Sequence, residues 1–330
     1  MQDLPPKAPP SREGGSTDVI TRSSIWYFDG SVVLQAETTQ FRVHRSILAA
    51  SSAIFKDMLG VHHAPSEKET TVDGEPLVQM HDDKAKDVEL VLLALYDRKF
   101  FQKPQKTFDQ VAAMWRLGKK YEFEELRDEA LERLEACYPS TLDKFKINVD
   151  QARTQTQPIA HYPGMHIDAI KFARETGLVA ILPAAYYACN NKKSQRDILE
   201  EIMDGVLMEG GSRAHLSDND KRVCILATST LMQRQWQAYR AYKTDTTHRS
   251  CSTGLQTALA RETLENTLCV DPLGPISLRN TSVNVYNACQ ACHTGASSLL
   301  NEEQAKIWND LPGIYGLPSR KRENHSAALQ

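Results

Sequence analysis

The sequence predicts an α+β protein: a short three-stranded sheet capped by helices, followed by an all-α C-terminal region. Three observations lead there. Val32, Val33 and Leu34 form an apolar, largely β-branched run, the polar residues from Glu37 to Gln40 turn the chain, and Phe41 and Val43 alternate with Arg42, which together read as a hairpin. Ile47, Leu48, Ser51, Ile54, Phe55, Met58 and Leu59 then recur at steps of three and four, so they share one face of a helical pair able to cover that hairpin. Beyond residue 165 every periodic stretch has helical spacing.

Composition bounds what such a chain can do. With 330 residues, 41% hydrophobic and 25% charged, it has material for one large or two modest cores and reads as soluble and globular. A formal net charge of -3 supplies no field to hold a polyanion, which argues against nucleic acid as a partner. The N-terminus has no apolar segment behind basic residues, so no secretory signal is expected. The longest apolar run, Leu178 to Cys189, is interrupted by Pro183 and falls short of the roughly 20 residues a membrane span needs. An intracellular location, cytoplasmic or nuclear, follows as the expectation. Seven cysteines, an odd number at irregular spacing, fit reduced thiols better than a disulfide framework.

In chain order, residues 1–17 carry Pro5, Pro6, Pro9, Pro10, Gly14 and Gly15 with almost nothing apolar, and read as a disordered tail; a Pro-rich ligand segment is the less favoured alternative. After the helical pair, the polar stretch from Val61 to Pro76 reads as a loop, with His62 and His63 solvated, and Leu77 to Met80 as the third strand. Helices follow on the stripes Val88, Val91, Leu92, Leu95, Tyr96, then Phe108, Val111, Ala112, Trp115, Leu117, then Leu126, Ala130, Leu131, Leu134. Such stripes are core before they are anything else. Residues 140–164 are polar, contain Pro158 and Pro163, and are expected to be a linker or insertion.

Periodicity resumes at Ile167, Ile170 and Ala173, with Gly177 as the C-cap and Pro183 in the first turn of the next helix. Ile198, Leu199, Ile202, Met203 and Val206 mark another helix, and Ser217 to Asp220 resembles a capping box ahead of Val223, Leu226, Ala227 and Leu231. Trp236, Tyr239 and Tyr242 lie among Arg234, Arg240 and Lys243; base stacking is possible on such a stripe, but half-buried helix positions explain it more simply. Near the end, Asn301 is expected to cap a helix bearing Ile307, Trp308 and Leu311, and Pro312 to stop it, with Trp308 and Tyr315 covering the helical region. Gly313-Ile314-Tyr315-Gly316 has the spacing of a KH loop without its flanking pattern.

The run Phe41-x-Val43-His44-Arg45-x-x-Leu48-x-x-x-Ser52-x-x-Phe55-x-x-Met58 resembles the BTB/POZ domain, and the chain with its Trp308-Leu311-Pro312 tail resembles the large fungal, mushroom-type branch of that family. The resemblance implies a BTB/POZ fold over residues 18–139, a linker or insertion over 140–164, a helical region over 165–318 and a tail over 319–330. It also implies a protein-interaction module without chemistry of its own. Its structural and interaction residues would be Asp29, Val32, Val33, Phe41, Val43, His44, Arg45, Leu48, Ser52, Phe55 and Met58. Its partners would be proteins, through homodimerisation or a heterologous contact. A cullin-type ubiquitin ligase adaptor and a transcriptional regulator are the alternatives. Dimeric members usually carry Asp just before the first strand, paired with the basic residue after the His; here Ser31 stands in that place and Asp29 lies two residues earlier. The hydrophobic-x-Glu motif of cullin adaptors has no clear counterpart between Val61 and Pro76.

No phosphate loop, dinucleotide fingerprint, nucleophile elbow or HExxH helix is present, so no enzyme, cofactor or small-molecule substrate is expected. The one metal-like pattern is Cys289-x-x-Cys292, with His248-x-x-Cys251 as a second pair and Cys269 and His293 as spare ligands for a structural zinc. Free thiols are the simpler reading of the same residues.

Overall fold

β2 (Val32–Ala36) and β3 (Thr39–Val43) form the expected hairpin, antiparallel with Leu34 opposite Phe41 and Val33 opposite Arg42. In this computed structural model, residues 19–60, 70–97, 99–100, 103–154, 156–190, 195–244, 271–273 and 290–318 are described. The turn is tighter than the polar run suggested: Glu37 takes a positive φ of 50°, and β3 starts at Thr39. Val32, Val33, Leu34, Phe41 and Val43 are all at most 1% exposed. β2 lies centrally and is buried on both faces, which explains its continuous rather than alternating apolar run.

The sheet has five strands, not three, in the order β1-β3-β2-β5-β4. β1 (Thr21–Trp26) runs parallel to β3, β5 (Glu75–Gln79) parallel to β2, and β4 (Thr71–Val72) antiparallel to β5. β1 escaped notice because it is an edge strand with polar residues outward and only Ile25 buried. β4 and β5 are joined by Asp73 and Gly74, both at positive φ (51° and 82°), the geometry of a two-residue type I′ turn. Asp-Gly is the standard signal for that turn, and it sits inside the stretch read as loop.

Eleven α-helices are described, of which α1 (Arg45–Ser51), α2 (Ala53–Gly60) and α3 (Ala85–Tyr96) lie among the strands in sequence. Then come α4 (Phe108–Lys120), α5 (Glu124–Cys137), α6 (Leu142–Thr154), α7 (Met165–Thr176), α8 (Leu182–Asn190), α9 (Gln195–Asp204), α10 (Asp218–Thr244) and α11 (Gln290–Ile314). The chain divides into two compact units, Met1–Lys103 with Ala113–Asp128, and Pro104–Ala112 with Glu129–Gln330. We call them the N-unit and the C-unit; α4 and α5 contribute residues to both.

Within the C-unit, Gly177 at φ 74° ends α7 as expected, and Pro183 sits in the first turn of α8. Ser217 caps α10: its Oγ accepts the Asp220 N–H at 3.2 Å and donates to Asp220 Oδ2 at 2.6 Å. Among the described residues the strands of the C-terminal region are a two-residue ribbon, β6 (Val206–Leu207) with β7 (Arg213–Ala214), and the region is otherwise mainly helical. The buried face of α10 is Asp220, Cys224, Ala227, Thr228 and Leu231, whereas Leu226, expected on that stripe, is 60% exposed. Leu199 and Met203 of α9 are also exposed, and Ile198 and Ile202 carry the burial.

Two expectations fail outright in this unit. The stretch 140–164 is not simply loop, for it contains α6. Its periodicity is hidden because a core position is taken by Asn148, 7% exposed, while Ile147 is 58% exposed. The buried Asn148 amide donates to Cys137 O, so it enters the core without losing a hydrogen bond. Asn301 does not cap a helix, and Pro312 does not stop one: both lie inside α11. Termination comes at Gly316, φ 63°, where Gly316 N–H bonds Gly313 O at 3.1 Å and Leu317 N–H bonds Pro312 O at 2.8 Å. That pair of bonds is a Schellman motif, and it accounts for both glycines of the KH-like spacing as helix-end geometry. Trp308 and Tyr315 are buried, at 2% and 1% exposed, as the tail signature predicted.

Candidate interaction site

The strand-to-helix junction between β3 and α1 carries most of the family-like residues, and its polar groups are paired around His44. His44 is extended and precedes α1 without capping it through its side chain. Its backbone N–H donates to the Tyr96 hydroxyl at 2.8 Å, and its Nδ1 lies 2.9 Å from the same oxygen. The other ring nitrogen, Nε2, lies 3.3 Å from Asp29 Oδ1, so the imidazole bridges the Tyr96 hydroxyl and the Asp29 carboxylate. Tyr27 stacks on Tyr96 with ring centroids 4.6 Å apart. Burial pushes the Tyr96 phenol above its ordinary value, so it stays a donor.

Ser31 and Arg45 complete the junction. Ser31 Oγ accepts the Arg45 backbone N–H at 3.1 Å, and the Arg45 guanidinium donates to Leu59 O at the end of α2. α2 has no basic residue in its own last turn, so this cation from α1 serves the negative end of its dipole. Asp29 thus reaches His44, and Arg45 reaches a carbonyl of its own helical pair.

Ser52 links α1 to α2. Its N–H closes α1 on Leu48 O at 2.9 Å, its Oγ accepts the Phe55 N–H at 3.0 Å, and the same hydroxyl donates to Tyr121 O. Phe55, 1% exposed, packs against Tyr121 and Phe123 with centroids at 5.0 and 5.7 Å. Tyr121 in turn donates to Asp83 Oδ2 at 2.6 Å, and Lys120 Nζ lies 2.9 Å from that oxygen. Leu48, Val32, Val33, Phe41 and Val43 are core. Met58 is different: it is 42% exposed, as is Ile54 at 38%, one helical turn before it on the outer face of α2. Phe28, in the β1–β2 connection, is 89% exposed.

Residues 27–150 match the family model of the BTB/POZ domain. The chain carries a BTB/POZ domain. No curated protein and no solved structure matches the chain. A BTB/POZ domain is generally a protein-protein interaction module, and this one has the short mixed sheet and helices of the α+β fold. The match ends at residue 150, inside α6, whereas the resemblance implied a domain over residues 18–139.

Spacing alone did not reveal Tyr27, Tyr96 or the role of Ser31 at the BTB/POZ junction. Tyr96 is the last residue of an ordinary buried stripe, and nothing local says that its hydroxyl returns to His44. Of the zinc candidates, His248, Cys251 and Cys289 lie outside the described residues, as does the Cys292 side chain; Cys269 and the His293 side chain lie outside them too. Among the described residues no group of three or more His, Cys, Asp or Glu side chains could hold a metal ion. Arg234, from the aromatic-cation stripe, pairs with Asp310 at 2.9 Å. The side chains of Tyr239, Arg240, Tyr242 and Lys243 lie outside the described residues. Among the described residues no helix is long and apolar enough to cross a membrane.

Proposed function

We propose that this chain is a non-enzymatic interaction protein of the fungal BTB branch that self-associates through the α2 face of its BTB/POZ domain. One observation carries the reading: Met58, a residue of the family-like run, and Ile54 beside it are left out of the core, while Phe55 and Leu59 on the same helix are in it. Apolar side chains a turn apart on an exposed helix face gain by docking on another apolar surface. The module acts inside the cell without a cofactor, and the replacement of the usual carboxylate by Ser31 moves association from a charged pocket to this apolar face. A structural zinc on Cys289, Cys292, His248 and Cys251 would be an accessory to the C-terminal helices.

The test is the mass of the full chain by light scattering at low micromolar concentration, for the native sequence and for Ile54→Glu with Met58→Glu. A native dimer that becomes a folded monomer in the double variant is expected. A native monomer would overturn self-association, and capture of a cullin scaffold by that monomer would establish the adaptor reading in its place. A dimer unchanged in the variant would move the interface elsewhere.

A further inference from the structure

The C-unit contains a half-open cavity of about 440 Å³ that the interaction reading does not use. Protein interiors are close-packed, and voids larger than a water molecule are few. Ligand pockets run from about 300 to 1,000 Å³, and an apolar void of about 150 Å³ already takes benzene. Phe145 of α6, Met165 of α7, Ala188 of α8 and Ile202 of α9 all face this space. Four helices therefore converge on a void that larger side chains at Ala188 or Val206 would fill.

The polar lining restricts what can enter. Gln157 Nε2 donates to Asn148 Oδ1 at 2.6 Å, and Asn148 Nδ2 donates to Cys137 O. That relay fixes both amides and leaves the side-chain oxygen of Gln157, a lining residue, with acceptor capacity. Beside His161 and His166, neither Lys nor Arg lines the cavity and Glu201 is its sole carboxylate, so an anion would lose its hydration with no permanent cation to replace it. Cys137 lines it as a thiol, since burial pushes the group up to about 11.

We propose that this cavity binds an uncharged, mostly apolar small molecule whose hydrogen-bond donor is accepted by Gln157. The site is separate from the α2 face, and its occupancy does not depend on self-association.

Two dyes with one skeleton test it on the full chain by fluorescence titration. N-phenyl-1-naphthylamine is neutral and carries an N–H donor; 1-anilinonaphthalene-8-sulfonate adds a negative charge. Saturable one-to-one binding of the neutral dye is expected, with the sulfonate roughly tenfold or more weaker. Ala188→Phe and Val206→Phe, on different elements, each fill the void and should abolish binding while melting cooperatively; if one fails to fold, the other decides. Gln157→Leu should weaken the neutral dye several-fold. Absence of saturable binding, equal binding of the two dyes, or undiminished binding by a folded filling variant would each overturn the proposal.

Discussion

The two units handle buried polar groups differently. In the N-unit the polar contacts that shape the site cluster at one junction, with Asp29, Ser31, His44, Arg45 and Ser52 all within the first helical pair or its hairpin. In the C-unit the polar groups sit in the middle of the core. Tyr138, Tyr186, Tyr187 and Tyr315 are each at most 1% exposed. Tyr186 donates to Asp220, which also lies 3.4 Å from Arg174, and Tyr187 donates to Asp271 at 2.9 Å. Trp308 packs on Phe145 with centroids 5.0 Å apart and donates to Ser140 O at 3.1 Å. A junction whose own residues fall within one run, from Asp29 to Ser52, leaves a motif in the sequence, although Tyr96 and Tyr121 reach it from far along the chain. A core of hydroxyls whose partners lie far along the chain does not.

The sharpest way to break this contrast is Phe55→Asp, which places a carboxylate among the rings of Tyr121 and Phe123. It should cost more than about 4 kcal/mol and unfold the N-unit; a thermal melt unchanged from the native chain would refute the packing described. The C-unit counterpart is Trp308→Ala. It removes a large buried ring together with its bond to Ser140 O, for an expected loss of about 3–5 kcal/mol by urea titration. A loss under about 1 kcal/mol would show that the tail does not hold the C-unit together.

Alkali distinguishes the units next. Burial is the main cause that raises the phenols of Tyr138, Tyr186, Tyr187 and Tyr315 above their ordinary value of 10.0. Below pH 9 these groups are protonated in both folded and unfolded chains and contribute no slope. Above about pH 10 the unfolded chain releases phenolic protons that the folded chain keeps, so stability falls by about 1.4 kcal/mol per pH unit for each tyrosine. Tyrosinate absorbance should therefore rise together with loss of helical circular dichroism. Ionisation preceding unfolding would mean that these hydroxyls are accessible. A smaller effect is expected of His44→Ala, about 1–2 kcal/mol, since it frees Tyr96 from one bond but keeps the backbone donor. Smallest of all, Ile54→Glu should change stability by less than about 0.5 kcal/mol while reducing association.

How much could be read in advance follows the same division. The hairpin, the α1–α2 pair, Gly177, Pro183 and the Ser217 cap were legible because each depends on neighbours a few residues away. β4 and β5 were legible in part, since Asp73-Gly74 names its turn, yet their flanks are too short and polar to show alternation. α6 was not legible, because Asn148 occupies a buried place and Ile147 an exposed one. The α10 face was misjudged at Leu226 because Cys224 and Thr228, not the most apolar residues, point inward. Pro312 misled because the helix tolerates it one turn before its Schellman end. At the site, Met58 and Ile54 were read as core; only the fold shows that their helix turns them outward.

The bond from Arg45 to Leu59 O has a kinetic meaning. A short helix anchored only by its buried face would sample several tilts, and a partner would have to wait for the competent one. Clamped at its C-terminal end by a cation from the preceding helix, α2 offers Ile54 and Met58 in one orientation. In the proposed self-association, ordering losses on docking would then be confined to side chains, about 0.5–1.5 kcal/mol each. Encounter should proceed without a prior conformational step, and the lifetime of the complex should respond chiefly to the two apolar contacts.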